Sequence, residues 1–214
     1  GGTALLAPSS YTLLHFGSGF VPWVLDGEWW RLVTPVFLHG GVVHIGFNLY
    51  ALWLLGPLFE RSFGRSRYLI IFVLSGVLST MIALMWKVVA PDVLGAVYGV
   101  VPWVGEPSSS SITTSMVGMS GALCGLLGVG VATGHRVQNV AGMAVRNQCL
   151  RWAGFLVLFG LVVPGVDNAA HFSGFAIGAV LGWFLPLKDR AGYLAGWFWG
   201  AVSAFCVVLV AGGI

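Results

Sequence analysis

Residues 118–128 read Gly-Met-Ser-Gly-Ala-Leu-Cys-Gly-Leu-Leu-Gly, and this stretch decides what kind of protein the chain can be. Apart from one hydroxyl, it offers only glycines and apolar side chains, so it can lie in a bilayer as part of a helix. Polar groups inside a membrane are costly and tend to mark function. Ser120 is therefore the first candidate for a functional residue.

The composition of the whole chain agrees with a membrane location. Of its 214 residues, 57% are hydrophobic and 8% are charged, whereas soluble domains carry about 25% charged residues. This composition excludes a water-soluble globular protein, whose whole surface must be hydrated. The net charge is only +3, and no Lys/Arg cluster is interleaved with aromatic residues. We therefore expect no nucleic-acid partner.

Cysteines and metal-binding motifs add no further chemistry. Cys124, Cys149 and Cys206 are scattered in or beside apolar segments, and we expect buried thiols that pack as small apolar groups. There is no His-Glu-x-x-His motif, and no carboxylate lies within a span beside the candidate histidines. The sequence therefore predicts no metal site.

Spanning the hydrocarbon core takes about 20 mostly apolar residues, and six segments are candidates. They are residues 42–60, 68–90, 116–134, 149–164, 168–187 and 192–213. The pattern predicts an all-α polytopic membrane protein. Residues 1–41, rich in Trp, Gly and Pro, suit an interfacial or membrane-embedded segment, and residues 91–115 suit a loop with three prolines.

The distribution of Lys and Arg orients these spans, because cytoplasmic loops are enriched in both. One side of the membrane gathers eight of them, namely Arg61, Arg65, Arg67, Arg136, Arg146, Arg151, Lys188 and Arg190, and the other side has Arg31 and Lys87. The first, third and fifth spans then all run from outside to inside.

This orientation brings four polar side chains to one depth. His44 and Asn48 lie near the start of the first span, Ser120 near the start of the third, and His171 near the start of the fifth. With a rise of 1.5 Å per residue, each lies roughly 5–12 Å from the outer end of its helix. A hydroxyl and an imidazole at one depth predict a nucleophile and its base, Ser120 and His171.

The glycine pattern helps to distinguish a nucleophilic Ser120 from a serine that only packs between helices. A Gly-x-Ser-Gly motif arises easily by chance in a chain with 32 glycines, and small residues also serve helix contacts in membranes. Two glycine faces allow the close approach that a Ser–His hydrogen bond between helices needs. Those faces comprise Gly118, Gly121 and Gly125 around Ser120, and Gly174 and Gly178 after His171.

His44 and Asn48 are i, i+4 neighbours, and both can donate hydrogen bonds. With the backbone N–H of Ser120 they could form an oxyanion hole, whose donors are worth roughly 10²–10³ in rate. The alternative is a buried polar pair that joins two helices. Asp167 could orient His171, but we expect it to cap the helix or to lie in the outer loop.

Five motifs follow one another along the chain: Gly27-Glu28-Trp29-Trp30-Arg31, Phe37-Leu38-His39-Gly40-Gly41, His44-x-x-x-Asn48, Gly118-Met119-Ser120-Gly121 and His171-x-x-Gly174-x-x-x-Gly178. Over about residues 27–187 the chain resembles the rhomboid family of intramembrane serine proteases. The resemblance implies a rhomboid-like helical bundle with Ser120 as nucleophile and His171 as general base, then acid. It implies an oxyanion site at His44, Asn48 and the Ser120 backbone, and no cofactor. Its implied substrates are single-span membrane proteins, cut near the outer end of their helix.

The chain departs from the family in two ways. Family members usually carry an aromatic residue four positions after the nucleophile, where this chain has Cys124. Their first core helix precedes the loop with the Trp-Arg motif, and this chain begins inside that loop. We therefore expect an interfacial segment at 1–41, a catalytic core with helices two to six at 42–187, and an extra C-terminal helix at 188–214.

The preferred function is an active protease, an integral multi-pass protein of a bacterial plasma membrane in contact with lipid. Its site opens to the outer face and to water, under residues of the loops at 91–115 or 165–168. The alternative is a catalytically inactive rhomboid-like protein that binds transmembrane clients, as Cys124 suggests. A solute transporter has little support, because no pair of similarly interrupted spans occurs in two halves of the chain.

Overall fold

A computed structural model of the protein describes residues 6–100, 114–163 and 165–187, with isolated positions between 200 and 208, and only the backbone of 92–100. Most of the expected span at 192–213, with Cys206, lies outside these residues. The described helices are α1 (Ser10–His15), α2 (Val21–Leu25), α3 (Val42–Phe63), α4 (Arg65–Val100), α5 (Ser120–Val137), α6 (Val140–Val162) and α7 (Asn168–Phe184), with 3-10 turns at Trp29–Leu32 and Thr34–Val36.

The bundle is built around α5. Nearly every residue of α5 from Gly121 to Gly134 is buried, because α4, α6 and α7 all pack against it. By contrast, α3 lies at the edge of the bundle with few buried residues. Within the described chain, α3 and the Arg65–Pro91 part of α4 are long and apolar enough to cross a bilayer, with mean hydropathies of 1.6 and 2.3.

Three predicted boundaries were wrong. The loop expected at 91–115 is helical as far as Val100, since α4 continues through Pro91, and membrane helices tolerate a proline where neighbouring groups satisfy the freed carbonyl. The span expected at 149–164 belongs to a helix that begins at Val140, capped by Asn139, whose side chain accepts a hydrogen bond from the Gly142 N–H. The connection between α5 and α6 is therefore only residues 138–139.

The third boundary concerns the approach to Ser120. The expected span at 116–134 becomes a helix only at Ser120. Residue Met116 instead exchanges two backbone hydrogen bonds of 2.9 Å with Gly19. An apolar run does not distinguish a helix from an extended segment, so the hydropathy pattern placed the helix start too early.

The N-terminal segment forms short helices and turns, in agreement with its predicted failure to span. Its centre is the guanidinium of Arg31, which is 4% exposed. Arg31 donates to the carbonyls of Leu14 (2.8 Å) and Ser18 (3.0 Å) and to the carboxylate of Glu28 (2.5 Å). It also lies 4.4 Å from the ring centroid of Trp23, so one buried cation organises residues 14–31.

Candidate active site

Helices α5 and α7 approach each other closely because glycines face each other along their contact. A Cβ atom at Gly174 would overlap the backbone of Gly121, and one at Gly178 would overlap the backbone of Gly125. Any larger side chain would force the two backbones apart. The predicted glycine faces are thus in contact, and they bring the two helix starts within reach of each other.

Ser120 and His171 meet at these helix starts. Ser120 is the first residue of α5 and is partly buried, and His171 lies in the first turn of α7 at 8% exposure. The Ser120 Oγ lies 2.9 Å from His171 Nε2, which is hydrogen-bond distance. The structure therefore brings together the two residues expected to act as nucleophile and base, while their catalytic roles remain a prediction.

Asp167 caps α7 and does not contact the imidazole. Its Oδ1 accepts a hydrogen bond of 3.1 Å from the Ala170 N–H, and its Oδ2 lies 3.3 Å from Lys87 Nζ. The expectation of a helix cap is confirmed. Within the described residues, His171 Nδ1 has no hydrogen-bond partner, so the arrangement there is a pair and not a triad.

The segment before Ser120 is held by the N-terminal segment. Gly118 has a φ of +123°, which disfavours any residue with a Cβ. Its N–H donates to the Pro35 carbonyl at 2.8 Å. Gly118 thus lies in the turn before α5, and not on the α5–α7 contact where the sequence placed it as a packing glycine. This turn directs Ser120 toward α7.

His44 faces the same turn. A Cβ at Gly118 would lie 2.8 Å from His44 Nε2 and 3.8 Å from Ser120 Oγ. Because glycine has no side chain, the space between His44 Nε2 and Ser120 Oγ stays open. The Gly40 N–H donates to His44 Nδ1 at 3.2 Å. Since Nδ1 accepts, the proton of the neutral ring belongs on Nε2, the nitrogen that faces Gly118.

His39 packs against the other side of His44. The two ring centroids lie 5.1 Å apart at an interplanar angle of 72°. Burial, with a smaller contribution from nearby His44, lowers the pKa of His39, so we expect a neutral ring at pH 7. The contact adds an uncharged wall that restricts the orientation of His44.

Asn48 lies one turn further along α3 and is 5% exposed. Its Nδ2 donates to the His44 carbonyl at 3.1 Å. One of its two amide hydrogens is therefore engaged with its own helix. Cys124, one turn after Ser120, is a buried free thiol, as is Cys149.

Sequence reasoning missed the residues that hold the candidate site from outside its own helices. Gly40 and Pro35 act through backbone groups, which carry no signal in the side-chain pattern. Lys87 had a signal, because it is one of the two basic residues on the side predicted to be outer. Arg31 is the other, and both are paired with carboxylates.

Comparison with known proteins identifies one family. Residues 26–188 match the Rhomboid domain. RHOMBOID-like protein 5 of Arabidopsis thaliana is 30% identical over 196 residues, which cover 89% of this chain and 55% of that protein.

Two bacterial relatives carry protease names. Rhomboid protease GluP of Bacillus subtilis is 30% identical over 171 residues, covering 76% of this chain and 27% of that protein. Rhomboid protease AarA of Providencia stuartii is 28% identical over 185 residues, covering 79% and 60%. The chain spans less than two thirds of the length of each of these three relatives.

Proposed function

Because the chain belongs to the rhomboid family, an integral membrane family, we propose that it is an intramembrane serine endopeptidase with a Ser120–His171 dyad. The observation that carries the proposal is the 2.9 Å separation of Ser120 Oγ and His171 Nε2. Protease-named relatives support the same reaction class. The proposed substrates are transmembrane segments of other membrane proteins, cut near the outer face.

In the first step His171 Nε2 takes the proton of Ser120 while Oγ attacks the scissile carbonyl carbon. The resulting tetrahedral species collapses when His171 returns the proton to the leaving amine, which breaks the C–N bond and leaves an acyl-enzyme. Water then attacks the ester carbonyl with His171 again as base, and His171 returns the proton to Ser120 Oγ as the C–O bond breaks and the carboxylic acid product leaves. No cofactor is needed for either half of this reaction.

Negative charge on the carbonyl oxygen is stabilised by donors around the turn before α5. His44 supports this role because its Nε2–H faces the space next to Gly118 and Ser120. Asn48 contributes its remaining amide hydrogen, and Ser120 its backbone N–H, which the start of a helix leaves without an intrahelical partner. Preorganised donors of this kind act on the transition state more than on the substrate.

Cleavage of a defined transmembrane substrate by the purified full chain in proteoliposomes tests the proposal. Ser120→Ala and His171→Ala should each lower kcat by more than about 10³-fold, because neither leaves a functional nucleophile and base pair. Ser173→Ala is the matched control, since this hydroxyl donates to the Ala169 carbonyl of its own helix. Equal cleavage by wild type and Ser120→Ala would contradict the proposal.

Cys124 supports one alternative, a catalytically inactive rhomboid-like protein that binds transmembrane clients. Position 124 lies one helical turn from Ser120 and offers a small thiol, where family members usually carry an aromatic ring. A serine-directed phosphonate probe separates the two functions. Labelling at Ser120 supports the protease, and absence of labelling with retained client binding supports the binder.

A further inference from the structure

Lys87 on α4 and Asp167 at the start of α7 form an ion pair that joins the two helices beside the candidate base. The Nζ and Oδ2 atoms are 3.3 Å apart, and the side chains are only 15% and 24% exposed. Solvent screens a partly buried pair less than a surface pair. The contact is therefore suited to hold α7 against α4.

Asp167 transmits this contact to His171 through the backbone. Its Oδ1 accepts from the Ala170 N–H at 3.1 Å, and its carbonyl oxygen accepts from the His171 N–H at 3.2 Å. The capped Ala170 N–H belongs to the first turn of α7, where amides lack a carbonyl partner within the helix. One residue thus holds the main chain of the candidate base and of the residue before it.

The same helix α4 also contacts α5 next to the nucleophile. A Cβ at Gly121 would overlap the side chain of Ser79, so α4 lies directly against the residue that follows Ser120. Helix α4 thereby contacts both helices that carry the dyad. It packs against α5 through Ser79, and it is tied to α7 through Lys87 and Asp167.

We propose that Lys87 is a positioning residue that acts through Asp167 to set the place of His171 relative to Ser120. This inference rests on the proposed function, because the dyad is the part being positioned. When the ion pair is removed, the first turn of α7 loosens, and fewer molecules hold Nε2 within hydrogen-bond distance of Oγ. The reaction step slows while substrate binding is unchanged.

The kinetic test uses the full chain in proteoliposomes with a transmembrane substrate. Lys87→Met keeps the aliphatic stem and removes the charge, and Asp167→Asn keeps a capping oxygen and removes the charge. Each should lower kcat by about tenfold with KM unchanged, and the double variant should be no slower than the slower single variant. Lys87→Arg, the matched control, should stay within about twofold of wild type.

Two kinetic outcomes would overturn the inference. One is wild-type kcat in Lys87→Met. The other is multiplication of the two single effects in the double variant, which would mean that Lys87 and Asp167 act independently.

Hydrogen exchange followed by mass spectrometry gives a readout that does not depend on cleavage. In Lys87→Met, peptides covering 166–175 should exchange about tenfold faster than in wild type, while peptides of α5 stay unchanged. Unchanged exchange at 166–175, or a uniform rise across the protein, would refute positioning. If wild type and Ser120→Ala cleave equally, the proposed function fails, yet the exchange result still decides whether Lys87 holds this turn.

Discussion

The α5–α7 pair and helix α3 each contribute to the candidate site, but they are packed in opposite ways. Along α5–α7, glycine backbones touch, and the two helices have no room for a Cβ atom at Gly174 or Gly178. Most residues of α3 are exposed, and a Cβ at Gly46 would meet nothing within 4 Å. The candidate nucleophile and base lie on the tight pair, and the candidate oxyanion donors lie on the loose helix.

This difference indicates which geometry the fold protects most. The proposed proton transfer between Ser120 and His171 depends on tenths of an ångström, and both residues lie on the two helices whose backbones are in direct contact. The position of His44 is defined locally instead, by the Gly40 N–H and by the His39 ring. Substitutions in the two regions should therefore differ in what they damage.

The largest effect should come from Gly178→Val. Its side chain would overlap the Gly125 backbone, so α7 must move away from α5. We expect a loss of about 3 kcal/mol in the free energy of unfolding, together with loss of cleavage. Equilibrium unfolding in mixed micelles and a cleavage assay measure both. Near-wild-type stability would mean that the glycine contact is not a constraint.

Gly118→Ala should abolish most activity at a smaller cost in stability. The new methyl group would enter the space between His44 Nε2 and Ser120 Oγ, at a φ of +123°. We expect kcat to fall by about 10²-fold and the unfolding free energy by about 1–2 kcal/mol. A variant that retained full activity would show that this space is not used by the substrate carbonyl.

His44→Phe tests the loose helix directly. The ring is kept but the Nε2 donor is lost, so we expect kcat to fall by roughly 10²-fold while the unfolding free energy changes by less than about 1 kcal/mol. The measurement is kcat and KM in proteoliposomes. A large loss of stability with little kinetic change would favour the alternative role, a polar pair that joins helices.

The smallest effect belongs to Gly46→Ala, which is also the control for Gly178→Val. The new Cβ has open space around it, and alanine is the better helix former by about 1 kcal/mol. We expect unchanged cleavage and stability that is equal or slightly higher, by about 0.5 kcal/mol. Destabilisation similar to that of Gly178→Val would erase the contrast between the two regions.

Much of this arrangement was predictable from sequence, because the membrane simplifies the problem. The shared depth expected for His44, Ser120 and His171 agrees with their proximity in the structure, while the orientation of the spans across the membrane stays a prediction. Glycine spacing indicated which two helices touch. The helix cap at Asp167 followed from local chemistry.

Two of the boundary errors come from hydropathy and the third from a proline. Polar residues such as Arg146 and Gln148 lie in the first turns of α6. They lower the mean hydropathy there, so the predicted span began too late. Pro91 predicted the end of a helix, but α4 continues through it. The contacts of Pro35 and Lys87 join distant parts of the chain, so no local pattern could have revealed them. Gly40 acts through its backbone N–H, which the side-chain pattern does not show.

The buried guanidinium of Arg31 has a consequence for how the protein fails on heating. Residues 14–31 are assembled around that one cation, and Pro35, a few residues on, accepts the hydrogen bond that holds Gly118. Such a unit can open locally at a lower free energy than the helical bundle. Because its opening releases the turn before Ser120, enzymatic inactivation should precede the loss of helix in a thermal scan.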